Sequence, residues 1–197
     1  MQILAQTVDE TTAEQVRITE VPAPPFAESV RAAYLTKLFT AAGLRVHSDS
    51  TGNVIAERLG TAPAAPSAPG ATPNDAGIVL VTAHLDTVFP AGTNVAVRRE
   101  GARLLAPGIS DNGTGLATLV ALALAMRDAK VATRDTLLLV ADVGEEGEGN
   151  LRGVRALVQE YRVHLEKEGF SAATTNVRCR LWPNLIRPPG PAGFASS

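Results

Sequence analysis

Hydrophobic positions along the chain follow two periods, one helical and one extended. Phe26, Val30, Ala33, Leu35, Leu38, Phe39 and Ala42 approximate a 3.6-residue repeat that Gly43 stops, which predicts a helix with one buried face. Val154, Leu157, Val158, Tyr161 and Leu165 fall at helical spacing and predict an amphipathic helix ending near Gly169. Gly115 to Ala129 is apolar nearly all round, the pattern of a helix sandwiched inside a domain. Ile78 to Ala83 and Thr136 to Val143 are continuous apolar runs, the mark of strands buried on both faces. Leu44 to His47 and Asn53 to Glu57 predict two short strands around the turn Asp49-Ser50-Thr51-Gly52. The N-terminal segment is polar, with a short helix expected after Asp9 or Thr11. Pro22, Pro24 and Pro25 then force an extended or turning approach. Strand, helix, strand, helix in that order predicts an α/β fold, its sheet mostly parallel or mixed and covered by helices on both faces.

Length and composition narrow this picture. A chain of 197 residues, 45% hydrophobic and 19% charged, is one domain or one domain with a tail, and wholesale disorder is excluded. The segment 60–76 holds Pro63, Pro66, Pro69 and Pro73 among Ala, Ser and Gly, which predicts a solvated surface loop rather than a linker. The longest apolar run, Gly115 to Met126, is too short to span a bilayer. Met1 to Gln6 lacks the basic and apolar regions of a signal peptide, so a soluble, cytoplasmic chain is expected. A lone cysteine, Cys179, forbids an intrachain disulfide and removes thiolate zinc clusters. A net charge of −2 without a basic block argues against nucleic acid as a partner. No membrane partner is expected either.

Chemistry gathers where buried strands end. In extended chain His84 and Asp86 project to one side, and an imidazole beside a carboxylate suits a metal ligand. Asp111 lies in the glycine-rich turn 107–115 at a helix start. Glu145 and Glu146 follow the second buried strand, where adjacent side chains diverge, so one could bind a cation while its neighbour faces elsewhere. Each has a plainer reading: His84 as a hydrogen-bonded core residue, Asp111 as a helix N-cap, Glu145-Glu146 as an exposed acidic loop. A phosphate-binding turn at Gly108, Gly113 and Gly115 is excluded, because no Gly-x-Lys-Ser/Thr follows and an aspartate there repels phosphate.

Taken together, His84-Leu85-Asp86, Asp111-Asn112-Gly113-Thr114-Gly115 and Gly144-Glu145-Glu146-Gly147 resemble the motifs of the di-zinc exopeptidases. The family is that of glutamate carboxypeptidase, peptidase T, acetylornithine deacetylase and succinyl-diaminopimelate desuccinylase. The flanks Ala23-Pro24-Pro25-Phe26, Thr87-Val88-Phe89-Pro90 and Gly147 to Gly153 agree with it, and the peptidase T-like branch is nearest. The resemblance runs from about Val16 to Val158. It implies that His84 ligates one zinc, Glu146 the other, and Asp111 bridges both, with a water between them as nucleophile. It further implies Glu145 as general base and then acid, and Asp86 as the residue orienting His84. Cobalt or manganese would also suit such ligands. The implied reaction is hydrolysis of an amide bond in a small peptide of di- or tripeptide type. An N-acyl amino acid is the other substrate class, and the second di-zinc aminopeptidase family shares the ligand pattern.

The sequence departs from that family in two ligands, an acidic residue soon after the Glu-Glu pair and a late histidine. Glu166, Glu168, His164 and His47 are the remaining candidates, and none has the family context. The expectation is therefore an N-terminal part of the catalytic domain over 1–169, followed by an irregular tail over 170–197. Arginines outnumber lysines fifteen to three, and residues 177–197 carry four prolines with the only Cys and Trp. GC-rich coding DNA read out of frame gives this composition, an expectation that the other reading frames past codon 170 would check. An inactive fragment, a pseudoenzyme or an interaction module on the same scaffold are the rival readings. Lost strands would leave a sheet edge unpaired, so self-association or a homodimer is expected.

Overall fold

The computed structural model describes residues 2–61 and 78–167. Helix α1 spans Gln2–Thr19 and α2 spans Ser29–Ala41; strands β1, Arg45–Ser48, and β2, Val54–Arg58, follow. Strand β3, Ile78–His84, leads to a small hairpin of β4, Arg98–Glu100, and β5, Arg103–Leu105. Helix α3, Gly113–Asp128, strand β6, Thr136–Asp142, a single 3-10 turn, Gly147–Gly149, and helix α4, Arg152–Lys167, complete the order. The surface loop expected within 60–76 and the tail 170–197 lie, almost wholly, outside the described residues. Among the described residues, no helix is long and apolar enough to cross a membrane.

Among the described residues, the main sheet has four strands in the order β1-β2-β6-β3. It is mixed: β3 and β6 are parallel, while β2 pairs antiparallel with both β1 and β6. Parallel neighbours need a crossover, and the connection carrying α3 supplies it. Leu137, Leu139, Ala141, Val54 and Ala56 pack on one face against Ile18, Leu35, Phe39 and the buried residues of α3. Leu138, Val140 and Ile55 point the other way, onto Leu157 of α4. Alternation along β6 thus builds two cores, which is why this strand reads as an unbroken apolar run.

Four expectations need correction. Helix α1 begins far earlier than Asp9. Thr11 and Thr12 lie inside it and return their hydroxyls to the carbonyls of Thr7 and Val8 (2.7 and 2.8 Å). Strand β3 is not buried on both faces: it forms one edge of the described sheet, and Val79 is 40% exposed. Helix α3 buries one side, through Leu116, Ala117, Leu119, Val120 and Ala123, and shows Thr114, Thr118 and Ala125 to solvent. In α2 the buried face is Arg31, Leu35 and Phe39, whereas Phe26 and Val30 are exposed; Val158 of α4 is exposed as well. The β4–β5 hairpin has no signal in the apolar pattern, since its strands are three residues long and mostly exposed.

The asymmetry between β6 and β3 gives a direct test. Leu139→Ala should cost about 2–5 kcal/mol by cavity formation in the central strand. Val79→Ala, on the edge, should change stability by about 0.5 kcal/mol or less. Urea denaturation reads both, and equal costs would contradict the strand order.

Candidate metal site

Strands β3 and β6 run parallel in register, with His84 beside Asp142, so the chain leaves both at the same edge of the sheet. Such carboxyl ends are where open α/β sheets place their functional groups. His84 is the last residue of β3 and is buried. Its Nδ1 lies 3.0 Å from the Asp86 carbonyl oxygen, and its Nε2 lies 2.8 Å from Asp111 Oδ1. Both ring nitrogens face acceptors, so the metal-free ring carries a proton on each; a cation taking the place of the Nε2 proton would leave Nδ1–H on the Asp86 carbonyl, the tautomer a metal ligand needs.

Asp86 does more than face the imidazole. Its Oδ1 accepts the Glu145 amide (3.0 Å) and its Oδ2 the Glu146 amide (2.9 Å), while Oδ1 stands 3.7 Å from His84 Nδ1. Both oxygens are thus committed, and the side chain is fully buried. Burial alone would raise the Asp86 pKa, but the His84 hydrogen bond and the two amides outweigh it and bring the carboxyl down to about 2. Burial likewise works against a charged His84. The hydrogen bonds to Asp86 and Asp111 prevail and carry the imidazole up to about 9.

Asp111 reaches this cluster from the turn ahead of α3. The N-cap position belongs to Asn112, and Asp111 is turned to His84 with its side chain 74% exposed, which sets aside the plainer capping reading. The peptide bond between Asp111 and Asn112 is cis. Helix α1 braces the turn: Gln15 Nε2 donates to the Ile109 carbonyl (2.8 Å) and to Thr114 Oγ1 (2.7 Å). A Cβ on Gly113 would stand 2.5 Å from Thr19 Oγ1, so only glycine permits that approach of α3 to α1.

Glu145 and Glu146 do not diverge as expected. Ligand atoms of His84, Glu145 and Glu146 lie within 4.8 Å of one another. Strand alternation no longer applies because β6 ends at Asp142 and Gly144 turns the chain with φ +63°. Burial raises the Glu146 pKa, and the neighbouring Glu145 and Asp111 charges add to it. Asp142 is pushed up to about 7, mainly by burial, and its Oδ1 is buried without a hydrogen-bond partner. Carboxylates crowded around one imidazole repel one another until a cation or protons enter. The donor set of one nitrogen and several carboxylate oxygens fits zinc, manganese or cobalt.

Of the extra ligand candidates, His47 lies away from this cluster. His47 is exposed on β1, at the sheet edge opposite β3. Helix α4 starts beside the site, where the Gly153 amide donates to the Val143 carbonyl at 2.9 Å, and Glu166 follows after about 21 Å of helix. His164 is in the same distant half of α4, and Glu168 lies outside the described residues.

Three supporting residues escape a hydropathy reading. Asn53 is fully buried; its Oδ1 accepts the Val143 amide (3.0 Å), and its Nδ2 donates to Asp49 Oδ2 (2.6 Å) and the Gly153 carbonyl (3.0 Å). That side chain closes the base of the loop carrying Glu145 and Glu146. Arg152, opposite the same loop, pairs with the buried Glu28 at 2.6 Å and stacks over the Phe26 ring. Arg31 is also fully buried and sits four residues before Leu35 and eight before Phe39. That spacing was the available signal.

Comparison with known proteins now decides the family. The sequence model of Peptidase family M20/M25/M40 matches residues 80–179, half of the chain, and takes in His84, Asp111, Glu145 and Glu146. The chain belongs to this family. No curated protein matches it. Among solved structures, aminopeptidase PepT from Bacillus cereus superposes with a TM-score of 0.62 at 23% identity, over 78% of this chain and 40% of that one. Human carnosine dipeptidase 1 gives 0.64 at 15% identity, over 85% and 38%. YXEP of Bacillus subtilis, described as a dinuclear metal binding peptidase from the M20 family, gives 0.50 at 15% identity, over 72% and 36%. At these identities the likeness is one of fold, and the M20 chain described here spans about 40% of the PepT length.

His84 supplies a pH test. Its pKa is raised on folding, from 6.5 to about 9, so the contribution of the charged ring is complete below pH 6.5 and is lost as pH rises through 9. Urea denaturation of the metal-free chain should show stability declining across that window, and His84→Gln should flatten the decline. A wild-type profile as flat as the variant's would contradict the His84 geometry.

Proposed function

We propose that the chain carries the metal-binding and proton-transferring residues of a dinuclear peptidase acting on small peptides. The observation behind this reading is the meeting of His84, Asp111, Glu145 and Glu146, from three separate segments, at one edge of the sheet. His84 and Glu146 would each hold one cation, with Asp111 between them; zinc is the favoured ion, cobalt or manganese the alternatives. Bound cations would lower the pKa of a coordinated water and polarise the scissile carbonyl. Glu145 takes the proton released on attack and returns it to the leaving amine. Asp86 fixes the His84 ring and the two glutamate amides, so it acts by positioning.

The substrate reading, a di- or tripeptide, is supported by family membership and by the fold shared with proteins described as an aminopeptidase and a dipeptidase. The position of β3 at an edge of the sheet among the described residues supports self-association of the chain. A second reading, metal binding without turnover, is favoured by the donor count: among the described residues, no further ligand joins His84, Asp111, Glu145 and Glu146.

Hydrolysis of a dipeptide in the presence of added zinc or cobalt, followed by release of free amine, separates the two. Glu145→Gln should lower the rate by about 10²–10⁴-fold, the usual contribution of a general base, without lowering metal content. Equal rates for wild type and variant, both above buffer, would overturn the role of Glu145. Absence of wild-type turnover would favour the second reading.

A further inference from the structure

Arg31 has no assigned task in the chemistry above, yet it is among the largest fully buried side chains of the described residues. Taking a guanidinium out of water is costly, and an apolar side chain of similar size would fill the same space without that cost. Its hydrogen-bond partners are all backbone carbonyls: Val21 with Nε (2.8 Å), Leu85 with Nη1 (2.7 Å) and Thr19 with Nη2 (3.3 Å). What the guanidinium offers over a hydrocarbon is a planar fork of donors in fixed directions.

Leu85 is the residue between His84 and Asp86. Its amide donates to the Asp142 carbonyl at 2.7 Å, and its own carbonyl receives Arg31, so the two peptides flanking Leu85 are each held by one hydrogen bond. The next links follow from Asp86, whose carbonyl meets His84 Nδ1 and whose carboxylate takes the Glu145 and Glu146 amides. The Thr87 amide, donating to the Ala23 carbonyl at 3.1 Å, ties the same strand end to the same N-terminal segment.

We propose that Arg31 is a positioning residue of the candidate metal site, setting the Leu85–Asp86 peptide and through it both His84 and the Glu145–Glu146 loop. The inference rests on the proposed function only for calling this a metal site; the chain of hydrogen bonds exists without metal.

Amide hydrogen exchange on the full, metal-free chain tests it in wild type, Arg31→Met and Arg31→Lys. In Arg31→Met the Glu145 and Glu146 amides should exchange about tenfold faster, the loss expected when a charge-assisted hydrogen bond opens locally. Leu139 and Val140 in β6 should keep their wild-type protection. Arg31→Lys, able to reach one carbonyl, should recover part of the difference. Uniform acceleration through β6, unchanged exchange at Glu145 and Glu146, or failure of both variants to fold would overturn the proposal, since each marks a general scaffold residue. Because no metal is added, selective exchange with no zinc binding in a parallel titration would sink the metal reading alone, and zinc binding without selective exchange would sink the role of Arg31 alone.

Discussion

The Asp86 carboxylate is the constraint on which the site depends. It belongs to the segment leaving β3, and it holds two successive amides of the segment leaving β6. The last backbone bond between the two strand ends is that of the Leu85 amide to the Asp142 carbonyl, and beyond it both segments are irregular. One buried, fully hydrogen-bonded carboxylate joins them there, and charge-assisted bonds of this kind are stronger than neutral ones. The parallel register of β3 and β6 makes the contact geometrically available, because parallel neighbours end at the same edge. An antiparallel pair would have sent His84 and Glu146 to opposite ends of the sheet.

The surrounding structure keeps that contact in place from three directions. Asn53 closes the base of the Glu145–Glu146 loop from the β1–β2 turn, a turn that Asp49 Oδ1 holds by accepting the amides of Thr51, Gly52 and Asn53. Helix α1 holds the Asp111 turn through Gln15. The segment 19–31 holds the end of β3 through Arg31 and Ala23. Residues far apart in sequence thus converge on His84, Asp111 and the Glu145–Glu146 loop, the loop held at its amides by Asp86 and Asp111 held at Oδ1 by His84 Nε2. The carboxylates repel one another and are kept together by the scaffold, an arrangement that would suit a cation.

What the sequence made legible follows from period and from motif. β6, α2 and α4 were legible because burial on one or two faces imposes a regular apolar pattern. The strand–turn–helix and strand–turn contexts of His84, Asp111, Glu145 and Glu146 were legible from their motifs, and the structure brings all four together. Burial was misread where hydropathy and packing part company. Hydropathy puts Val30 in the core, yet it is 64% exposed, while its neighbour Arg31 is fully buried and donates to three carbonyls. Val, Leu and Ile fill β3 and predict burial on both faces, although a sheet edge accommodates the same residues. The divergence of Glu145 and Glu146 failed because a period of two ends with the strand.

Zinc retained per chain after dialysis against metal-free buffer tests the central claim most directly. Wild type should retain zinc, and His84→Ala and Glu146→Ala should each retain less of it while keeping the wild-type circular dichroism spectrum. A folded wild-type chain that retains no zinc, or one whose zinc survives both substitutions, would contradict the account.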